Sequence, residues 1–246
     1  MSSQNVIQPD PQAVAAAVAK ATAGVLSEAI NARGTAVWLL TGGTLPPSIH
    51  QVLVRDYRDA VDWSKVIFGV DDERCVPFDS PDSNWFGAEE ALFGPLGDAV
   101  PAEHKLRPQS DQDAETAAAA YEQTLSGLPK NEAGLPRIDL AWIGFGDDGH
   151  TLSLFPGHPS SRPSEQLVIP VHESPKPPAN RISLTVKAMK GTANCFVIGA
   201  GASKAPVVAR AQQGDISLPL QQVTSAISEA GGNVTWFLDE AAAAQL

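Results

Sequence analysis

The chain has 246 residues, enough for one large α/β domain with a sizeable core, and a formal net charge of −11. That acidity speaks against nucleic acid or an anionic membrane surface as partner, whose phosphates it would repel, but it admits a small anion wherever a few cations converge. Two cysteines, Cys75 and Cys195, form neither a disulfide framework nor a metal cluster, and there is no uninterrupted apolar run of about 18 residues and no basic leader. A single cytoplasmic domain over residues 1–246, without a membrane span, is expected, with both cysteines as small buried hydrophobes.

Asp10-Pro11 reads as an N-cap with proline at the first helical position, and the alanine-rich run 12–31 continues as a helix ending near Gly34. Ala36–Leu40 reads as a buried strand, and Thr41-Gly42-Gly43-Thr44 then turns into a helix from Pro47. Val66–Val70 reads as a second strand, followed by a charged loop. Helices are expected over 84–93, 111–125 and 203–212, and strands over 138–145, 182–186, 195–200 and 234–238. The proline-dense stretch 174–178 reads as a stiff surface loop within one domain. Strands alternating with helices predict βαβ units and an α/β fold: a doubly wound, mostly parallel sheet flanked by helices.

The segment Gly144-Phe-Gly-Asp-Asp-Gly-His150 follows a strand, where ligand sites of open α/β sheets lie. Its glycines let the backbone turn sharply, and His150, two residues after Asp148, is a candidate general base beside an orienting carboxylate. The competing reading is a polar turn in which Asp148 caps backbone amides and His150 is solvated. Thr41-Gly42-Gly43-Thr44, between a strand and a helix, has the makings of an anion-binding concavity with two hydroxyls to donate. Its spacing matches neither the P-loop nor the dinucleotide fingerprint, and an ordinary Gly-Gly turn is the alternative. After the second strand comes Asp71-Asp72-Glu73-Arg74, either a site or a self-neutralising loop, with Arg74 able to fork onto a phosphate or polarise a carbonyl. Arg181 and Lys204 each flank a strand and can reach a strand-end cleft. His50, His104, His158 and His172 lack a visible partner in sequence and are read as structural or solvated.

Taken together, these segments resemble the 6-phosphogluconolactonase family. The matching pieces are Thr41-Gly-Gly-Thr-Leu-Pro, Asp72-Glu-Arg-Cys-Val-Pro with Ser83-Asn84, and Gly144-Phe-Gly-Asp-Asp-Gly-His-Thr-Leu-Ser-Leu-Phe-Pro-Gly. Lys176-Pro-Pro-Ala-Asn-Arg-Ile-Ser-Leu-Thr and Gly201-Ala-Ser-Lys204 support them, so the resemblance runs over most of the chain. It departs from the family in the glycine loop, where a serine usually stands at position 41 and Ser-Thr at 44–45. Leu45 therefore lacks a hydroxyl found in relatives.

The resemblance implies a fold shared with glucosamine-6-phosphate deaminases and ribose-5-phosphate isomerases. It also implies hydrolysis of 6-phospho-D-glucono-1,5-lactone to 6-phospho-D-gluconate, in the oxidative pentose phosphate pathway, with neither metal nor organic cofactor. Read this way, His150 activates water, Asp148 orients or stabilises the imidazole, and Arg74 or a glycine-turn amide receives the oxyanion. Thr41, Gly42, Gly43, Thr44, Asp72, Arg181 and Lys204 bind the substrate and its phosphate. A deaminase or isomerase of the same fold would carry a ring-opening glutamate after Asp-Gly-His. Here Leu154-Phe155-Pro156 occupies that stretch, and Phe155 cannot move a proton. A sugar-phosphate sensor is the other rival, but the first 35 residues offer no DNA-binding module.

Overall fold

The computed structural model describes residues 4–246. Strand β1 (Gln4–Gln8) precedes α1 (Pro11–Arg33), which begins where Asp10 Oδ1 accepts the Ala13 amide at 2.8 Å and ends at Gly34, whose φ of 84° suits glycine. Then follow β2 (Ala36–Leu40), α2 (Pro46–Asp56), β3 (Val66–Val70), β4 (Asp72–Arg74) and α3 (Asn84–Ala88). A wider turn over Glu89–Phe93 leads from α3 into α4 (Gly94–Leu96). The second half comprises α5 (Ala114–Ser126), β5 (Leu140–Ile143), β6 (Val168–Val171), β7 (Arg181–Leu184), α6 (Val186–Met189), β8 (Asn194–Gly199), α7 (Ala205–Gln212), α8 (Pro219–Glu229) and β9 (Asn233–Asp239).

Six strands form one parallel sheet in the order β1-β9-β8-β5-β2-β3. Strands β2 and β5 are buried throughout, as a parallel sheet covered on both faces requires. Trp38 on β2 and Trp142 on β5 meet edge to face at 4.7 Å, and His50 of α2 stacks on Trp142 at 5.3 Å. Burial pushes the His50 imidazole down to about 3, so it stays neutral and serves as a core aromatic.

An 18-residue window of α1 reaches a mean hydropathy of 1.4, apolar enough to cross a bilayer by composition alone. Lys20 and Glu28 still interrupt the helix, so no uninterrupted apolar run of that length stands behind the average. Half of that window is buried inside the protein, where Val14, Val18, Leu26 and Ile30 pack into the core.

A correction concerns β4, β6 and β7, which form a separate three-stranded antiparallel sheet in the order β4-β7-β6. The charged loop expected after β3 is thus a strand in part. The strand expected over 182–186 ends at Leu184, because Thr185 caps α6 by accepting the Ala188 amide at 3.3 Å. The helix expected over 111–125 starts at Ala114, because Asp113 accepts the Thr116 amide at 2.9 Å and caps it there. Cys195 is buried and Cys75 only half-buried.

Candidate active site

In the parallel sheet the chain runs outward from β2 to β3 on one side and from β5 through β8 to β9 on the other. Strands β2 and β5 are neighbours, so the winding reverses between them, and a crevice opens beyond their carboxyl ends. The turns after β2, β3, β5 and β8 converge there around a cleft of about 470 Å³. Thr41, Gly42, Gly43, Thr44, Asp72, Arg74, His150, Arg181 and Lys204 all line it, and Asp148 stands directly behind His150.

The imidazole is held from two sides. Asp148 Oδ1 lies 2.6 Å from His150 Nδ1 and also accepts the His150 amide at 3.2 Å. The ring of buried Phe155 lies beneath the imidazole, centroids 4.7 Å apart, with the Arg181 guanidinium over the same ring at 5.6 Å. With Nδ1 engaged by a carboxylate, the tautomer that fits carries its proton on Nδ1 and leaves Nε2 with the lone pair. Burial lowers the affinity of His150 for a proton and outweighs the opposing pull of Asp148. Partial burial pushes the Asp148 carboxyl up, yet the hydrogen bond and charge of His150 hold it below the usual range. Gly146 is required beside this pair, because a Cβ there would fall on His150 Nδ1 and Asp148 Oδ1.

The opposite wall is the turn after β2. Among the described residues, no backbone carbonyl accepts the amides of Gly42, Gly43 or Thr44. Helix α2 opens with Pro46 and Pro47, which have no N–H, so the free backbone donors at this end of the cleft are those of the loop rather than of the first helical turn. Gly43 sits at a φ of 111°, and a Cβ at Gly42 would collide with the Asn84 side chain. Lys204 closes this end, its Nζ donating to the Phe145 carbonyl at 2.7 Å.

Strand alternation sorts the acidic segment. Asp72 and Arg74 face the cleft, whereas Glu73 between them points inward and is fully buried. Asp72 Oδ1 accepts from Asn84 at 2.8 Å and Oδ2 from Ser153 at 2.5 Å. Arg74 Nη1 donates to the Asp82 carbonyl at 2.7 Å, while its buried Nε has no partner among the described residues. Asp71 is sealed beneath, its carboxyl pushed well above the usual range by burial and by the neighbouring charge of Asp72.

Arg181 reaches the cleft wall but is 4 % exposed and largely committed to its own loop. Its Nε donates to the Pro178 carbonyl at 3.1 Å and its Nη2 to those of Lys176 and Pro177 at 2.9 and 3.1 Å. Its Nη1 lies 3.7 Å from Asp72 Oδ2. Sequence reasoning gave no role to Lys176, Asn84 or Ser153. The stretch 174–178, read as a surface loop, brings Lys176 into the cleft lining, and the signal available was its place five residues before Arg181 in the matching motif.

A parallel α/β sheet with a polar cleft at its topological switch point defines the class to which this molecule belongs. A family profile described as glucosamine-6-phosphate isomerases/6-phosphogluconolactonase matches residues 9–236. The chain is 38 % identical over 253 aligned positions to a protein of Streptomyces coelicolor named 6-phosphogluconolactonase, covering 99 % of this chain and 94 % of that one. It is 34 % identical to a protein of the same name from Mycobacterium tuberculosis, covering 100 % and 99 % of the two. The solved structure of 6-phosphogluconolactonase from Trypanosoma brucei superposes with a TM-score of 0.82 at 27 % identity, covering 100 % of this chain and 99 % of that one. The chain belongs to the glucosamine-6-phosphate isomerase/6-phosphogluconolactonase family.

Proposed function

We propose that the protein hydrolyses 6-phospho-D-glucono-1,5-lactone to 6-phospho-D-gluconate, as the names of its relatives suggest. The observation that carries this reading is the setting of His150. The ring lines a cleft that the 42–44 turn also lines, with loop amides that no backbone carbonyl accepts among the described residues, and the segment after Asp-Gly-His150 carries Phe155, which cannot transfer a proton, where a ring-opening deaminase is expected to carry a glutamate. The Gly42–Thr44 amides, the hydroxyls of Thr41 and Thr44, and Lys204 hold the phosphate. His150 Nε2 takes a proton from water as its oxygen attacks the lactone carbonyl carbon, and Asp148 stabilises the imidazolium that results. Arg74 faces the oxyanion. Collapse of the tetrahedral intermediate breaks the bond to the ring oxygen, which recovers the proton from the imidazolium, and the acid formed ionises. Arg181, expected as a phosphate ligand, gives its Nε and Nη2 to the carbonyls of 176–178, while Nη1 reaches Ser153 Oγ at 3.4 Å beside Asp72, so its first task is to fix that loop and offset the charge of Asp72.

The test follows decay of freshly prepared 6-phosphogluconolactone with and without protein, beside unphosphorylated gluconolactone. A kcat/KM preference of about 10²-fold or more for the phosphorylated substrate is expected, since two or more charge-assisted hydrogen bonds are lost without the phosphate. Equal rates on both would remove the anion-binding role of the 42–44 turn, and ammonia release from glucosamine 6-phosphate would replace the reaction altogether.

Gly146→Ala gives a second expected result. The added methyl displaces the Asp148–His150 pair without touching the core, so turnover falls about 10²-fold, the cost of misplacing a catalytic group by an ångström. The thermal midpoint stays close to that of the parent, and a variant with parental kcat would show that the pair tolerates displacement.

A further inference from the structure

Lys176 has no part in the chemistry just described, yet it stands at the point where two walls of the cleft meet. Its Nζ lies 3.4 Å from Asp147 Oδ1 and 3.6 Å from Asp148 Oδ1. The second of these is the same oxygen that lies 2.6 Å from His150 Nδ1. The ammonium is therefore within about 6 Å of the imidazole, close enough for a charge to matter at a half-exposed site. Its own backbone is fixed. The Lys176 carbonyl accepts from Arg181 Nη2 at 2.9 Å and from Ser174 Oγ at 2.8 Å, so the side chain is presented from a stapled loop rather than a free one.

We propose that Lys176 is a positioning residue for His150: its ammonium holds the Asp148 carboxylate that in turn holds the ring, and its charge opposes protonation of that ring. The proposal rests on the reading of His150 as the base and adds to it a residue that tunes the base. The charged groups around the imidazole are Asp148, Asp147 and Asp72, which favour the imidazolium, and Lys176, Lys204, Arg74 and Arg181, which oppose it. Of the four cations, Lys176 alone contacts the carboxylate bonded to His150. Burial already lowers the ring's proton affinity, and Lys176 acts in the same direction while Asp148 and Asp72 act against it. Removing the lysine therefore does two things of one sign: it deletes a repelling cation, and it frees Asp148 from a competitor. Both raise the affinity of His150 for a proton.

The experiment is an NMR titration of the His150 imidazole in the full chain, assigned by its loss in His150→Gln, together with the pH profile of kcat/KM. In Lys176→Met the midpoint is expected to rise by about 0.5 pH unit, the effect of one charge at about 6 Å in a largely aqueous medium. The acid limb of kcat/KM moves with it, kcat falls more than KM rises, and Lys176→Arg restores the parental midpoint. Lys176→Gln provides a second neutral variant should the methionine disturb the loop. A parental midpoint in both neutral variants, with only the melting temperature or KM altered, would overturn the proposal and leave Lys176 a structural strap. An inactive parent chain would overturn the reaction proposed above, whereas the titration would still decide the coupling, so the two ideas fail separately.

Discussion

Replacing His150 by alanine is expected to lower kcat on 6-phosphogluconolactone by about 10²–10⁴-fold, or about 2.7–5.5 kcal/mol of transition-state stabilisation. KM should change little, because the imidazole is not among the groups proposed to hold the phosphate. The fold should survive, since the ring lies at the cleft surface on Phe155 and its loss opens no cavity in the main core. The same imidazole is expected to set the pH dependence of the parent. Burial lowers its proton affinity, so the neutral, base-competent form persists below the usual histidine range near 6.5. The expected kcat/KM profile rises with pH through a midpoint below that value and is flat across neutrality. Steady-state rates with a melting curve check the first expectation, and a pH series checks the second. Parental turnover by a folded His150→Ala protein would end the assignment.

The second large effect is on stability and lies at Glu73. This carboxylate is fully buried and accepts four hydrogen bonds: Oε1 from the amides of Arg74 and Asn84 at 2.7 and 2.8 Å, and Oε2 from the Trp85 amide and Ser83 Oγ at 2.7 and 3.0 Å. It ties β4 to the start of α3. Burial pushes its carboxyl above the usual range, while the Trp85, Arg74 and Asn84 amides pull it back down. Glu73→Ala leaves these donors facing a void and should cost about 3–5 kcal/mol, the two in fully buried bonds, the Trp85 amide and the Ser83 hydroxyl, costing about 1–3 each. For a chain of this length that corresponds to a fall of roughly 6–20 °C in Tm. Glu73→Gln is no rescue, because one accepting oxygen becomes an NH₂ group that meets other donors. Asn84, released from its place, no longer braces Asp72 or the Gly42 turn, so kcat/KM should fall in the same variant. Calorimetry of both variants against the parent tests this, and an unchanged Tm would show that water satisfies those amides.

The central strands and the three converging segments were legible in the sequence because a buried parallel strand is apolar along its whole length and is followed at once by turn glycines. Ala36–Leu40 and Val66–Val70 were read with the bounds the structure gives. The small antiparallel sheet was not legible, for local reasons. Strand β4 is Asp-Glu-Arg, poor in every residue that favours strands, and β6 contains Pro170 at the rim of its sheet. Strand β1 is an exposed edge, and α8 opens on proline and carries Val, Thr and two serines, which weaken its helical signal. The site residues were recognisable by type, but their division of labour was not. Whether Arg181 grips a phosphate or its own loop depends on backbone carbonyls at 176–178 that no side-chain pattern announces. Glu73 and Asp72 are adjacent carboxylates in sequence, and only the pleat of β4 sends one to the core and the other to the cleft.

The pairing of β2 with β5 has a kinetic consequence. Trp38 lies opposite Leu140, so the central ladder joins segments about a hundred positions apart, and closing so long a loop is entropically slow compared with forming any of the helices. The amide-rich turn sits at the end of one of these strands and the imidazole at the end of the other. During refolding the helices can regain their circular dichroism early, but catalytic power returns only when these two strands zip together, which makes turnover a direct clock for assembly of the middle of the sheet.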